Sequence, residues 1–186
     1  MTIGFALCGS FCTFNKVFPA MEALAKHHRV IPIFSSAAGS IDTRFGMAAE
    51  HLRIAEAICG NPPILTIAQA EPIGPKKLLD ALVIAPCTGN TLAKLAHSIA
   101  DSPVTMAAKS HLRNGRPILI GVSTNDALAG AAENIGKLLG RKHCYFIPFG
   151  QDDPQNKPIS MVADFSQLRP ALEAALEGRQ LQPILL

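Results

Sequence analysis

The sequence of 186 residues has no tryptophan, one tyrosine and few charged residues, and these scarcities exclude several classes of protein. Charged residues make up 17% of the chain and the formal net charge is +3. The basic residues are scattered, whereas a nucleic-acid surface needs a stripe of Lys and Arg that contact phosphates. Hydrophobic residues reach 48%, which excludes a disordered chain. We expect one globular domain over residues 1–186 that binds no nucleic acid.

The chain also lacks any apolar run of the ~18 residues that span a bilayer. Its start has neither the basic segment nor the cleavage site of a signal peptide. The five cysteines are odd in number and irregular in spacing, and the histidines share no ligand spacing. Reduced thiols are the simplest account of such cysteines. These absences predict a cytoplasmic protein with no membrane contact and no metal site.

Short apolar segments alternate along the chain with segments of helical periodicity. Pro19 is expected in the first turn of its helix, where a missing N–H costs little. Asp42 is placed to cap the next helix and Gly60 to end it. Pro32 favours a position near the edge of the sheet for its strand. The expected strands are 3–8, 30–34, 64–67, 81–85, 117–122 and 145–147, and the expected helices are 17–28, 42–58, 92–99, 103–112, 131–139 and 166–176.

This alternation predicts an α/β fold. Right-handed crossovers then favour a three-layer α/β/α, doubly wound, Rossmann-like open parallel sheet of about six strands. A core of Ala, Ile, Leu and Val suits buried parallel strands, in keeping with the few aromatic residues. The one long irregular stretch, 148–161, is rich in Gly, Pro, Asp and Gln, and is expected to be a functional or mobile loop.

Four expected strands end in small, hydroxyl or amide residues, at Gly9-Ser10, Ser35-Ser36, 86–91 and 123–125. Ordinary turn and cap chemistry would explain any one of them. Together, at one edge of an open sheet, they favour a nucleotide site. The chain has neither GxGxxG nor GxxxxGK[ST], and serines replace the acid that would hold an NAD ribose. A mononucleotide with one phosphate therefore fits better than NAD or ATP.

Residues 85–96, Ala-Pro-Cys-Thr-Gly-Asn-Thr-Leu-Ala-Lys-Leu-Ala, resemble the Pro-Ala-Ser-Ala-Asn-Thr segment of the flavin-containing cysteine decarboxylase superfamily, in which this loop binds FMN. Within that superfamily the chain is most similar to the family of dipicolinate synthase B subunits. The similarity runs from Gly4 to Asp164, and five stretches carry it in order: 70–76, 86–92, 106–109, 123–128 and 148–154.

The resemblance implies an FMN site at the strand ends and a homo-oligomer, since members form trimers or dodecamers with FMN at subunit contacts. By motif, the FMN-binding residues would be Gly9, Ser10, Phe11 and Ser35 at the phosphate or ring, Pro86, Cys87, Thr88, Gly89, Asn90 and Thr91 at a helix start, and Ser123 and Thr124 facing the isoalloxazine. Cys87 would either tune the flavin or only pack in a tight turn.

Two family motifs are altered in this chain. Of the decarboxylases' Pro-x-Met-Asn-x-x-Met motif only Asn125 remains, and Glu71-Pro72-Ile73-Gly74 replaces their His-Ile segment. Without that imidazole, decarboxylation of a cysteine peptide loses its usual base. The changes favour the synthase branch over the decarboxylases.

The leading hypothesis is a subunit that uses FMN to oxidise dihydrodipicolinate to dipicolinate, for sporulation, with a dehydrogenase-like A subunit. Asn125, with Lys76 or Arg113, would contact the carboxylates of this pyridine dicarboxylate, and Glu71 is the candidate acid–base group. A solvated helix end remains the alternative for Arg113, and a surface-loop acid for Glu71. The alternative functions are an FMN-dependent decarboxylase, a flavin prenyltransferase and a non-catalytic regulatory subunit.

Overall fold

Seven strands and eight α-helices form the protein in a computed structural model that describes residues 1–186. The strands are β1 (Thr2–Leu7), β2 (Arg29–Phe34), β3 (Ala81–Cys87), β4 (Ile118–Thr124), β5 (Cys144–Phe146), β6 (Phe149–Gly150) and β7 (Met161–Ala163). The helices are α1 (Phe14–Ala25), α2 (Ser36–Ser40), α3 (Ala48–Cys59), α4 (Ile67–Ala70), α5 (Gly89–Ala96), α6 (Pro103–Leu112), α7 (Ala132–Leu139) and α8 (Leu168–Leu176). None of the helices is both long enough and apolar enough to cross a membrane.

The strands form one mostly parallel sheet in the order β2-β1-β3-β4-β7-β6, with β5 paired to β4 beside β7. Strands β1 to β5 pair in parallel, and every residue of β3 is buried. A parallel strand that is apolar throughout needs cover on both faces, which the flanking helices provide. The predicted Rossmann-like α/β class is confirmed.

The sheet is slightly larger than the predicted parallel sheet of about six strands. It has seven strands, β6 pairs antiparallel with β7, and β7 pairs antiparallel with the end of β4. Both extra strands lie at the borders of the polar stretch 148–161, which was expected to be a loop throughout. They are two and three residues long, too short for an alternating pattern to show in the sequence.

Two local predictions also differ from the structure. Helix α1 begins at Phe14, directly after a 3₁₀ turn, so Pro19 lies inside the helix rather than in its first turn. The turn forms because the Thr13 hydroxyl donates to the Ser10 carbonyl at 2.8 Å, which starts the helix close to the end of β1. The expected strand 64–67 is reduced to a single parallel bridge between Ile64 and Ile33. Helix α4 begins directly after it, and a capping box between Thr66 and Gln69 stabilises the start of this helix.

Helix α3 begins at Ala48, six residues after the predicted cap. Asp42 still serves its start, because its Oδ1 accepts a hydrogen bond from the Ala48 N–H at 2.8 Å. Residues 42–47 form a turn instead of a helical segment, and Gly60 ends α3 in the left-handed region, as predicted, at φ 61°. Strand β2 lies at the edge of the sheet, as its proline indicated. The short helix α2 was not predicted.

Candidate functional site

A cleft of about 900 Å³ opens beyond the carboxyl ends of β1, β3 and β4. The chain runs from β1 outward to β2 and then returns to β3 on the other side of β1, so strand order reverses between β1 and β3. Open α/β sheets bind ligands at such a reversal, because the loops diverge there and leave a crevice. The size of the cleft is within the range of small-molecule and cofactor pockets.

The loop after β1 and the last residues of β4 meet across the floor of the cleft. Ser10 and Ser123 share a hydrogen bond between their hydroxyls at 2.7 Å. Ser123 is also paired with Val162 of β7, which fixes its backbone from the other side. Gly9 has no Cβ, and Phe11 places a ring in the wall. This part of the cleft therefore offers a flat aromatic face next to hydroxyl groups.

The first turn of α5 forms the second wall. The Thr88 side chain caps the helix by accepting from the Thr91 N–H at 3.3 Å, and Gly89 and Asn90 then present backbone N–H groups to the cleft. Opposite them, the Thr124 hydroxyl donates to Asp126 Oδ1 at 2.5 Å. A helix N-terminus with free N–H groups attracts anions, so this wall suits a phosphate or another electron-rich group.

The residues predicted for the site divide into those that line the cleft and those that lie beneath it. Lining it are Gly9, Ser10, Phe11, Thr88, Gly89, Asn90, Ser123, Thr124 and Asn125. Four others do not line it. Ser35 caps α2 through Ala38, Thr91 donates to Cys8 Sγ at 3.3 Å, the Pro86 carbonyl accepts from the Cys8 N–H, and Cys87 is fully buried. Burial raises the pKa of the Cys87 thiol well above its ordinary value, so this side chain is a neutral packing group.

Glu71, Lys76 and Arg113 do not line this cleft, so the acid–base and carboxylate-binding roles predicted for them stay predictions. They come before the starts of β3 and β4, whereas the cleft is beyond the ends of these strands. The segment after Lys76 is held at the starting edge of the sheet, where the Asp80 N–H donates to the Thr2 carbonyl at 2.7 Å. This segment therefore ends at the edge of the sheet opposite the cleft.

Several cleft residues were not predicted: Cys12, Thr13, Lys16, Arg44, Phe45, Asp126, Asp152, Lys157, Ser160 and Val162. Asp152, Lys157 and Ser160 come from the polar stretch 148–161, whose composition was the available indication of function. The Ser160 hydroxyl donates to Asp152 Oδ1 at 2.6 Å and Lys157 Nζ to Oδ2 at 3.1 Å. Partial burial opposes ionisation of Asp152, but these two hydrogen bonds hold its pKa below the ordinary value.

The cleft holds cations of two kinds. Lys157 is neutralised by Asp152, whereas neither Lys16 nor Arg44 has a carboxylate oxygen within 4 Å. No group of three or more His, Cys, Asp or Glu side chains comes together as a metal site. A cleft with hydroxyls, a helix N-terminus, an aromatic wall and unpaired cations suits a planar ligand that carries negative charge.

Comparison with known proteins gives matches in sequence and in structure. A family model described as Flavoprotein matches residues 1–138. The B subunit of dipicolinate synthase from Bacillus subtilis (strain 168) is 50% identical over 184 residues, which are 98% of this chain and 92% of that protein.

Two solved structures are similar over almost the whole chain. The crystal structure of the B subunit of dipicolinate synthase from Bacillus halodurans C has a TM-score of 0.91 at 46% identity, covering 100% of this chain and 95% of that one. DmrB of Burkholderia xenovorans in complex with FMN has a TM-score of 0.68 at 18% identity, covering 95% of each chain, and therefore shows a shared fold alone.

Proposed function

Because the chain belongs to the flavoprotein family, we propose that its cleft binds FMN and that the protein is the B subunit of a dipicolinate synthase. The resemblance seen in the sequence motifs is confirmed by the 50% identical relative. The observation that carries the proposal is the cleft itself. Eight residues predicted at the cofactor from scattered motifs, together with Asn125 predicted at the substrate, line one cavity at the point where strand order reverses.

The donors of the cleft fit a flavin mononucleotide. Hydroxyls of Ser10 and Thr124 and the first turn of α5 can bind the ribityl chain and the phosphate, and Phe11 offers an apolar wall for the ring system. Residue 89 must be a glycine for α5 to pack this closely against the end of β4, since a Cβ there would lie 2.8 Å from Asp126 Oδ1 and 2.9 Å from Thr124 Oγ1. Because Gly89 has no side chain, Asp126 and Thr124 need not move into the space that the ligand would occupy.

We propose that the substrate is dihydrodipicolinate and that its oxidation removes a hydride and a proton from the partly reduced ring. Bound FMN would supply the acceptor for the hydride. Asn125 would orient a carboxylate through its amide, and Asp126, an acid that lines the cleft, replaces Glu71 as the candidate group for the proton. The dehydrogenase-like A subunit would accept the hydride from the reduced flavin, which returns the flavin to its oxidised form for the next turnover.

The first test is the absorption spectrum of the purified protein. We expect a yellow protein with flavin bands, or a colourless protein that acquires these bands when FMN is added and the excess is filtered away. Dipicolinate should then form from dihydrodipicolinate only when this chain, FMN and a dehydrogenase-like partner are all present. A protein that takes up no FMN would contradict the cofactor proposal.

Decarboxylation of a cysteine-ended peptide by the FMN-loaded chain would contradict the proposed reaction instead.

Asn125→Ala is expected to lower kcat/KM for dipicolinate formation by about 10-fold or more while FMN remains bound, because a hydrogen bond to a charged carboxylate contributes roughly 1.5–3 kcal/mol. Asn134→Ala, in α7 and outside the cleft, is the matched control and should retain full activity. Steady-state kinetics together with the flavin spectrum of both variants measure the effect. Equal kinetics in the two variants would exclude a substrate contact by Asn125.

A further inference from the structure

Arg44 is a cleft-lining arginine without an acidic partner. It lies in the turn between α2 and α3, and no carboxylate oxygen is within 4 Å of its guanidinium. The nearest acid in sequence, Asp42, accepts the Ala48 N–H instead. Because the turn uses its own carboxylate to cap α3, the positive charge of Arg44 faces the cleft uncompensated.

The turn holds Arg44 in a defined place. Thr43 and Gly46 exchange two backbone hydrogen bonds, at 3.0 and 3.1 Å, and the Phe45 N–H donates to Thr43 Oγ1 at 3.1 Å. The guanidinium carbon lies 4.9 Å from the centre of the Phe45 ring, a cation–π distance. Both ends of the residue, the backbone and the guanidinium, are therefore restrained.

A buried histidine supports this turn from below. Gly46 has φ 136°, and a Cβ on it would lie 2.6 Å from His51 Nε2, so the turn rests directly on the imidazole. His51 is only 4% exposed and packs edge-on against Phe14 with ring centres 4.8 Å apart. The backbone of the turn that carries Arg44 is thus supported by a core residue, which reduces the entropy lost when a ligand binds.

The other cations of the cleft are less suited to hold a planar anion. Lys157 already pairs with Asp152 at 3.1 Å. Lys16 and Arg44 are both exposed and unpaired, but Lys16 also borders a second cavity. An arginine presents a planar fork of donors that matches a carboxylate with two parallel hydrogen bonds, whereas a lysine acts as a point charge.

We propose that Arg44 is a substrate-positioning residue that binds one carboxylate of the pyridine dicarboxylate, a role that rests on the proposed function. It takes over the part that the sequence had indicated for Lys76 or Arg113. Other groups of the cleft would bind the second carboxylate. A ring with one carboxylate can bind through those groups alone, so its affinity should fall less than that of a dicarboxylate when Arg44 is replaced.

The test is a calorimetric titration with pyridine-2,6-dicarboxylate and with pyridine-2-carboxylate, on protein loaded with FMN. Arg44→Met should weaken dicarboxylate binding by about 10-fold or more and monocarboxylate binding less, and Arg44→Lys should restore part of the loss. Arg29→Met is the matched control, because Arg29 is exposed at the start of β2, at the opposite edge of the sheet, and its loss should change neither titration. Melting temperatures of all variants should agree.

The phosphate of FMN is the competing anion for Arg44, and a second arm separates the two. Arg44→Met should leave FMN and riboflavin binding unchanged within about twofold. A loss of FMN binding with riboflavin binding intact would assign Arg44 to the phosphate and overturn the proposal. Dicarboxylate affinity that is equal in Arg44→Met, Arg29→Met and the unaltered protein would also overturn it, while FMN binding would stand. If no flavin is bound at all, the same titration of the flavin-free protein still decides the role of Arg44.

Discussion

Gly89→Ala is expected to weaken FMN binding about 100-fold while the fold remains. The added methyl group would displace cleft side chains and so remove several hydrogen bonds to FMN, a loss of roughly 3 kcal/mol in binding free energy. The added Cβ would lie 2.8 Å from Asp126 Oδ1 and 2.9 Å from Thr124 Oγ1, closer than such atoms approach. These two side chains hydrogen-bond to each other at 2.5 Å, so they must move together, and the space open to them is the cleft. Fluorescence titration of FMN measures the change in affinity.

Gly136→Ala is the matched control, because Gly136 lies inside α7 with no atom within 4 Å of an added Cβ. Alanine there should leave FMN binding unchanged and raise stability by about 1 kcal/mol, since glycine is the poorer helix former. A Gly89→Ala variant that binds FMN as tightly as Gly136→Ala would show that FMN does not occupy the α5 wall. An equal loss in both variants would contradict a local steric effect.

The second large effect is expected in the pH dependence of stability, through His111 in α6. This imidazole is fully buried, its Nε2 is 3.1 Å from the Pro117 carbonyl, and its Nδ1 has no hydrogen-bond partner. Burial, which opposes the charged form, lowers the pKa of His111 to about 4, from 6.5. The hydrogen bond to Pro117 works in the opposite direction but does not offset the burial.

The sign follows from which state binds the proton. Between pH 6.5 and pH 4 the unfolded chain protonates this histidine and the folded chain does not, so the free energy of unfolding falls as the pH falls through this window. The stability is fully present above the unfolded pKa. The loss amounts to about 3 kcal/mol by the lower end, at roughly 1.4 kcal/mol for each pKa unit.

His111→Gln is expected to remove this part of the pH dependence, because the amide keeps a donor for Pro117 but does not titrate. Urea unfolding at pH 7 and at pH 4 should show wild-type stability falling by about 3 kcal/mol more than that of the variant. His97→Gln, at an exposed position, should follow the wild type. Parallel curves for wild type and His111→Gln would show that His111 is protonated in the folded state or reaches water.

Local patterns predicted the parts of the site that belong to strand ends. The strand ending at Gly9-Ser10, the Thr88-to-Asn90 helix start and the segment at Ser123 to Asn125 follow apolar runs, and parallel strands bring such ends to one edge. Motif similarity could not predict the position of Glu71 in the fold. A residue that replaces part of a family motif in the sequence is not thereby assigned to either edge of the sheet. Its crossover segment precedes β3, and Glu71 does not line the cleft.

Arg44 and Asp152 illustrate a different limit. Arg44 follows no predicted strand. The composition of 148–161 indicated a functional stretch but did not single out Asp152, because single charged residues in turns are ordinary in any sequence. These two residues reach the cleft because the Thr43–Gly46 turn rests on His51 and because β6 and β7 carry the polar stretch back to the end of β4. Contacts between segments so distant in sequence leave no local pattern to find.

The sequence by itself determined the class of fold, the position of the cleft at the strand ends, and the family, because apolar periodicity and strand-end chemistry act over a few neighbouring residues. Only the tertiary structure showed the antiparallel extension of the sheet and the unpaired charge of Arg44. It also showed that Glu71, Lys76 and Arg113 are not among the residues that line the cleft. These depend on which distant segments pack together, and that packing is a property of the whole core.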